Sequence, residues 1–238
     1  MKIIALESSA VTASVAVTDG DVLLAQTFQN SGLTHSATLM PMAADLLRNT
    51  GLTLKEMDVV AVAAGPGSFT GVRIGVAAAK GLAWPEDKPC APCSTLESMA
   101  WQCVHMGGEL CAVMDARRNQ VYAARFAARN GELERLSEDR AIGLDELAVD
   151  VKKSGKPQIL VGDGAVLCYN ELSARGLPCV LTPPHLRYQT AWGVARAALR
   201  LAREGGLVSA AAMAPSYHRL SQAERERLER LRQPAEHD

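Results

Sequence analysis

Apolar residues recur along this chain in two rhythms, and the rhythms alternate. Residues 2–8 (KIIALES) form an apolar run that ends on Glu7. Beyond it, period-two alternation predicts two strands joined by the tight-turn signal Asp19-Gly20-Asp21. A period near 3.6 takes over and predicts a helix over residues 35–50. Residues 58–64 read as a buried strand running into Gly65-Pro66-Gly67, and residues 70–84 read as the next helix. Lys88-Pro89-Cys90 opens a short fifth strand, and a third helix is expected near residues 95–104.

The same order returns in the second half. Residues 109–116 (ELCAVMDA) repeat the opening run, with Asp115 where Glu7 stands. Two alternating strands follow around Arg129-Asn130-Gly131. Then come a helix over 144–154, a strand over 157–161 ending at Gly162-Asp163-Gly164, a helix over 165–174, a strand opened by Leu177-Pro178-Cys179, and a helix near 190–204. Each half therefore reads βββαβαβα, with antiparallel strands first and crossover helices that require parallel neighbours after them. The expected fold is α/β with two lobes built from duplicated units. Residues 1–106 form the first lobe, with the C-terminal segment packing back on it, and residues 107–218 form the second. Residues 219–238 alternate charges and read as an exposed helix or tail, opened by a capping box from Ser221 to Glu224.

Two facing lobes enclose a cleft, into which the turn after each first strand and each G-x-G turn points. Glycines there let backbone N–H groups approach an anion, and the following helix N-terminus favours negative charge. The candidate anion or nucleotide residues are Glu7, Ser8, Ser9, Gly65, Gly67, Ser68, Asp115 and Arg117. Glu7 and Asp115 can hold a metal ion or orient a water. Equally, Glu7 can cap a neighbouring turn, and Asp115 can pair with Arg117 or Arg118. Ser68 or Thr70 is the expected N-cap of the helix, and Arg73 in its first turn is expected to reach outward.

That helix carries Gly71, Gly75 and Ala79 at i, i+4, i+8, a face small enough for close approach by another element. The approaching element is either the lobe's own sheet and first helix or another subunit. With Val72, this face is the candidate partner interface, completed on the first helix by Leu39, Met42, Ala43 and Leu46. His35, beside the expected N-cap Thr34, reads as a local capping or surface residue at the edge of that interface.

Composition narrows the classes. At 48% apolar residues the 238-residue chain can bury a substantial core. Its formal charge of −1 is too mild to predict strong nucleic-acid binding by this chain alone, although 16 of its 18 arginines follow residue 108. No run approaches the ~18 apolar residues of a membrane span, and the opening run broken by Glu7 is not a signal peptide, so a cytoplasmic protein is expected. Of six cysteines only Cys90 and Cys93 form a C-x-x-C. Buried reduced thiols are expected, with a redox pair as the alternative.

GPGSFTGVRIGVAAAKGLA, the opening ALESS, MDARRNQVY in the second half and Pro215-Ser216-Tyr217-His218-Arg219 together resemble the TsaB (YeaZ) family over residues 1–219. The resemblance implies an actin/Hsp70/acetate-kinase-like (ASKHA) fold and a role in placing a threonylcarbamoyl group on N6 of the adenosine beside the anticodon (t6A). It implies that the chemistry belongs to a larger paralogue, TsaD, which binds a metal through H-x-x-x-H. Thr95 and Met99 stand at those ligand positions here, and neither suits a hard catalytic metal. A non-catalytic partner is therefore expected. It would pair with TsaD through its first-lobe helices, create a docking place for the ATPase TsaE, reach tRNA only through the complex, and require no cofactor. Alone, the same face would pair two copies. Glu7 departs from the Asp common in the superfamily, which puts phosphate or metal geometry in doubt. The rival readings are a small-molecule kinase or ATPase using the cleft, with weak nucleotide binding as its lesser form, and a protease. No H-x-x-x-H, H-E-x-x-H or G-x-S-x-G supports the protease.

Overall fold

The first half runs β1 (Lys2–Glu7), β2 (Ala13–Asp19), β3 (Val22–Gln29), α1 (His35–Thr50), β4 (Val59–Gly65), α2 (Phe69–Ala83), β5 (Cys90–Ser94) and α3 (Thr95–Gln102). The second runs β6 (Gly108–Asp115), β7 (Gln120–Arg129), β8 (Glu132–Arg135), β9 (Arg140–Gly143), α4 (Leu144–Ser154), β10 (Gln158–Val161), α5 (Ala165–Ala174), β11 (Cys179–Leu181) and α6 (Ala191–Arg203). This is a computed structural model that describes residues 1–219, so the helix or tail expected from residue 219 onward lies outside the described residues beyond Arg219.

Strand β1 is the pivot of the first sheet, whose order is β3-β2-β1-β4-β5. It pairs antiparallel with β2 and parallel with β4, as the hairpin-then-crossover pattern requires. Ile4 and Leu6 turn to the face covered by α1 and α2, while Ile3 and Ala5 turn to the opposite face. Both faces are buried, and removing side chains of the Ile or Leu class from water stabilises the fold by about 1.5–3 kcal/mol each. The second sheet repeats the order as β11-β10-β6-β7-β8. The two-lobed, duplicated architecture is therefore the one the strand rhythm predicts.

Two features were not legible. The second half holds a fourth antiparallel strand, because β7 is ten residues long and two short strands share its edge. β8 pairs with Phe126–Arg129 and β9 with Gln120–Ala123. At the break between them, the Arg125 N–H donates to Ser137 Oγ instead of a ladder carbonyl.

The third helices also do not stay with their own halves. α6 packs on β1, β2 and β5 of the first sheet, while α3 lies against β6 and β7 as well as β4 and β5. Side chains from both halves therefore merge in one central core, which holds Ile3, Leu96, Met99, Met114, Phe126 and Val194. Glu97 of α3 is buried there, accepting from Arg135 Nη2 at 3.0 Å and from Arg200 Nε and Nη2 at 2.8 Å each. After α6 the chain returns to the first lobe. Val208 bridges Cys90, and the Ser216 N–H donates to the Ala64 carbonyl at 2.7 Å.

Candidate functional site: the cleft between the lobes

The glycine-rich turn is bolted to the turn after β1. The Ser68 N–H donates to the Ser9 carbonyl at 2.6 Å, and Ser8 Oγ donates to the Gly71 carbonyl at 2.9 Å. A Cβ on Gly67 would stand 2.4 Å from the Ser9 carbonyl oxygen, and one on Gly71 would stand 2.1 Å from that of Ser8. Gly65, at φ +127°, has the Ser216 carbonyl oxygen 2.3 Å from where its Cβ would be. These glycines admit the chain's own backbone. Ser68 is the N-cap of α2, accepting from the Gly71 N–H.

The second half repeats the device. Gly162, at φ +115°, lies under the Val113 carbonyl, and Gly164 lies against Met114 and Asp115. The two acidic residues that end β1 and β6 behave alike. Glu7 Oε1 accepts the Ser9 N–H and Oγ–H at 2.6 Å each, and Asp115 Oδ1 accepts the Arg117 N–H at 2.7 Å. Both cap their own turns. Asp115 holds the backbone of Arg117, not its guanidinium.

Between these turns lies a cleft of about 560 Å³, lined by Ser9, Pro66, Gly67 and Ser68 of the first lobe and by Asp115, Arg117 and Asp163 of the second. That volume suits a nucleotide-sized ligand. Asp115 and Asp163 line the cleft, and Glu7 is fully buried behind the lining residue Ser9, to which it bonds. Burial raises the Glu7 carboxyl from its ordinary 4.5 to about 7, against the opposing bonds from Ser9. Burial also raises Asp163, which Gln189 Nε2 and nearby N–H groups partly restrain and the charge of Asp115 pushes further. Glu7 Oε2 is buried without a hydrogen-bond partner. Among the described residues, no cluster of three or more His, Cys, Asp or Glu is placed to hold a metal.

The mouth of the cleft is closed on one side by the returning C-terminal strap. Tyr217 stacks on Phe69 with ring centroids 4.5 Å apart, Arg73 lies 3.9 Å from the Phe69 centroid, and Arg73 Nε donates to Tyr217 Oη at 2.8 Å. The outward arginine therefore reaches this chain's own strap. Arg219 Nη1 donates to the Ala116 carbonyl at 2.5 Å, tying the strap to the second lobe. Phe69 and Tyr217 both stand in the motifs quoted above, but no periodicity marks that they meet. Ser216 Oγ and His218 Nε2 lie 3.1 Å apart. Among the described residues no acidic side chain bonds to His218, so the pair lacks the orienting group of a hydrolytic triad.

The expected interface residues require correction. Gly71, Val72, Gly75 and Ala79 are buried against the lobe itself: a Cβ on Gly75 would stand 2.6 Å from Ser8 Oγ and 3.2 Å from Val62. Leu39, Ala43 and Leu46 are the buried stripe of α1, and Met42 is partly buried against the same core. A stripe that faces its own sheet cannot also face a partner. His35 is half-buried, and its Nε2 lies 2.8 Å from the Ala10 carbonyl, so it anchors the start of α1. The outer faces carry different residues. On α1 they are Ala37, Met40, Pro41 and Ala44; on α2 they are Ala77 and Gly81, with Ile74 and Ala78 half-exposed.

Thr95 and Met99 are both buried in the core, Met99 against Gly162, and neither opens to the cleft. All six cysteines are unpaired thiols. Burial pushes Cys103 up to about 11 and Cys111 to about 12, and it pushes Cys93 higher still, the opposite of what a reactive thiolate needs. No helix among the described residues is long and apolar enough to cross a membrane.

Comparison with known proteins adds relatives. The family model described as "TsaD: tRNA N6-adenosine threonylcarbamoyltransferase" matches residues 29–171, more than half of the chain. The tRNA threonylcarbamoyladenosine biosynthesis protein TsaB of Bacillus subtilis (strain 168) is 35% identical over 162 residues, 68% of this chain and 71% of the relative. The protein of the same name from Escherichia coli (strain K12) is 35% identical over 128 residues, 53% of this chain and 55% of the relative. The solved structure of YeaZ from Pseudomonas aeruginosa superposes with a TM-score of 0.77 at 26% identity, covering 91% of this chain and 99% of that one.

Proposed function

The chain belongs to the TsaB (YeaZ) family, and from that premise we propose that it is a non-catalytic accessory subunit of tRNA threonylcarbamoyladenosine biosynthesis. In this reading it pairs with a TsaD-type transferase, which carries the chemistry, and the pair offers a docking place to a TsaE-type ATPase. No resident cofactor is required. The observation that carries the reading is the outer surface of α1 and α2, which no described residue covers. Met40 is 41% exposed, and small or apolar residues recur beside it on both helices. Small side chains let a partner's helices approach closely. Thr95 and Met99, buried where the resemblance places metal ligands, support a transferase partner over activity in this chain. Without a partner, the same surface would pair two copies.

The test is co-elution of the chain with a TsaD-type transferase on gel filtration. Met40→Asp combined with Ala77→Arg changes exposed positions only. It is expected to abolish co-elution while leaving the thermal melt of the isolated chain within a few degrees of the parent. Full co-elution by this variant contradicts the assigned surface.

A second reading draws on the cleft. A space of about 560 Å³ between two glycine turns suits a kinase or ATPase, or weak nucleotide binding without turnover. ATP hydrolysis by the isolated chain, lost on Asp115→Asn, would favour it over the accessory role.

A further inference from the structure

The arginines of this chain divide by what they touch. Arg135, Arg140, Arg175, Arg196 and Arg200 each pair with a carboxylate. Among the described residues Arg73, Arg117, Arg118, Arg125, Arg129, Arg187 and Arg219 pair with no carboxylate. Four of these, Arg73, Arg117, Arg118 and Arg219, gather about one opening. Arg117 and Arg219 line the cleft, Arg118 follows on the same turn, and Arg73 stacks on Phe69, which lines the cleft from the first lobe.

The turn that carries two of them is unusual. Arg117, Arg118 and Asn119 have φ of +62°, +55° and +57°, three successive left-handed residues. For residues with a Cβ this costs roughly 1–2 kcal/mol each. Asp115 compensates by accepting the Arg117 N–H, and the Gln120 N–H closes the turn on the Arg117 carbonyl. Both arginines of this turn are exposed. Tyr217, 46% exposed, lines the cleft together with Arg117 and Arg219, bonds to Arg73 and offers an aromatic face.

The cleft lining argues about which anion fits. Asp115 and Asp163 line the cleft, so a small phosphate held between the lobes meets like charge. A polymer lying across the mouth reaches the guanidiniums of both lobes without entering the cleft. Four cations distributed over both lobes and the strap, with an aromatic ring among them, match a phosphodiester backbone.

We propose that the cleft mouth, through Arg117, Arg118, Arg219 and Arg73 around Tyr217, binds the phosphodiester backbone of RNA, so that this chain touches RNA directly within its complex. The inference rests on the tRNA-modifying role proposed above.

The test is fluorescence anisotropy of a labelled, unmodified tRNA transcript, titrated across salt concentrations. It is read on the chain in complex with a TsaD-type transferase and on the chain alone. Arg117→Ala with Arg118→Ala is expected to weaken binding about tenfold near physiological salt and to flatten the slope of log K against log salt by about 1.4–1.8, as loss of two phosphate contacts requires. Arg129→Ala, an exposed arginine at the end of β7 with no carboxylate partner among the described residues, is expected to change neither quantity.

Unchanged affinity and slope in the double variant overturn the proposal. So does displacement of the transcript by inorganic phosphate or ATP at equal phosphate concentration, which would make the occupant a small anion. Gel filtration of the same samples reports partner pairing separately. Failure of the parent chain to pair would count against the accessory role, while the RNA result on the chain alone still decides this inference.

Discussion

Gly75 of α2 sits directly over Ser8: a Cβ placed on it would lie 2.6 Å from Ser8 Oγ. The glycine is the space that lets helix α2 settle onto the end of β1, and Ser8 in turn bonds to the Gly71 carbonyl. Substituting Gly75 by Val should therefore destabilise the lobe itself. The expected loss is at the upper end of the about 1–3 kcal/mol typical of overpacking, read as a lowered denaturant midpoint. Gly81, on the same helix, has nothing within 4 Å of its would-be Cβ. Gly81→Ala should instead raise stability by about 0.5–1 kcal/mol.

Glu7 should give the fold a pH dependence of unusual sign for a carboxylate. Its folded pKa, about 7, lies above the ordinary 4.5 because burial disfavours the charge. Between those values the folded state keeps a proton that the unfolded chain has released, so stability falls as pH rises from about 4.5 to about 7 and is level above. Glu7→Gln removes that loss. Over this window the variant should gain on the parent by on the order of 1 kcal/mol per pH unit or less, as measured by urea denaturation at stepped pH. A parent-minus-variant difference independent of pH would place a charged Glu7 in the fold.

Glu97 should behave as a buried keystone charge. It accepts from Arg135 and Arg200, which arrive from β8 and α6. Removing it takes the shared partner from two partly buried guanidiniums that keep Asp139 and Glu204 respectively, so the expected cost is about 1–3 kcal/mol. Glu97→Ala should lower the denaturant midpoint accordingly. Adding Arg200→Met should recover part of the loss, and a double-mutant cycle gives the coupling.

The strap should open on its own. Tyr217→Ala deletes the stack on Phe69 and the bond from Arg73, contributions of about 0.5–1.5 kcal/mol for the ring pair and about 0.5–1 kcal/mol for the cation. Hydrogen exchange at the Ser216 N–H, which bonds to Ala64, should accelerate about tenfold or more, while amides in β1 and β4 stay protected.

The alternation of apolar residues in β1 and β2, the prolines before β5 and β11 and the paired G-x-G turns made the duplicated architecture legible. The chemistry of the turns was legible only as a choice. Gly71, Gly75 and Ala79 announce a close approach, but a one-dimensional pattern does not say whether the approaching atoms belong to Ser8 or to a neighbour. The apolar stripe Leu39-Ala43-Leu46 is likewise what a buried face looks like, and the interface candidates lie on the opposite side, where Ala37, Met40 and Ala77 carry no periodic signal. The Phe69–Tyr217 stack joins residues 148 positions apart, and Glu97 meets Arg135 and Arg200 at 38 and 103 positions, separations at which no local spacing constrains the contact.

The accessory role is tested most directly by reconstitution. A TsaD-type transferase, a TsaE-type ATPase, a threonylcarbamoyl-adenylate source and unmodified tRNA are combined with the parent chain, with the Met40→Asp, Ala77→Arg variant, or with no addition, and modified adenosine is quantified. Modification is expected with the parent chain alone among the three. Equal modification in the sample lacking the chain would contradict the account.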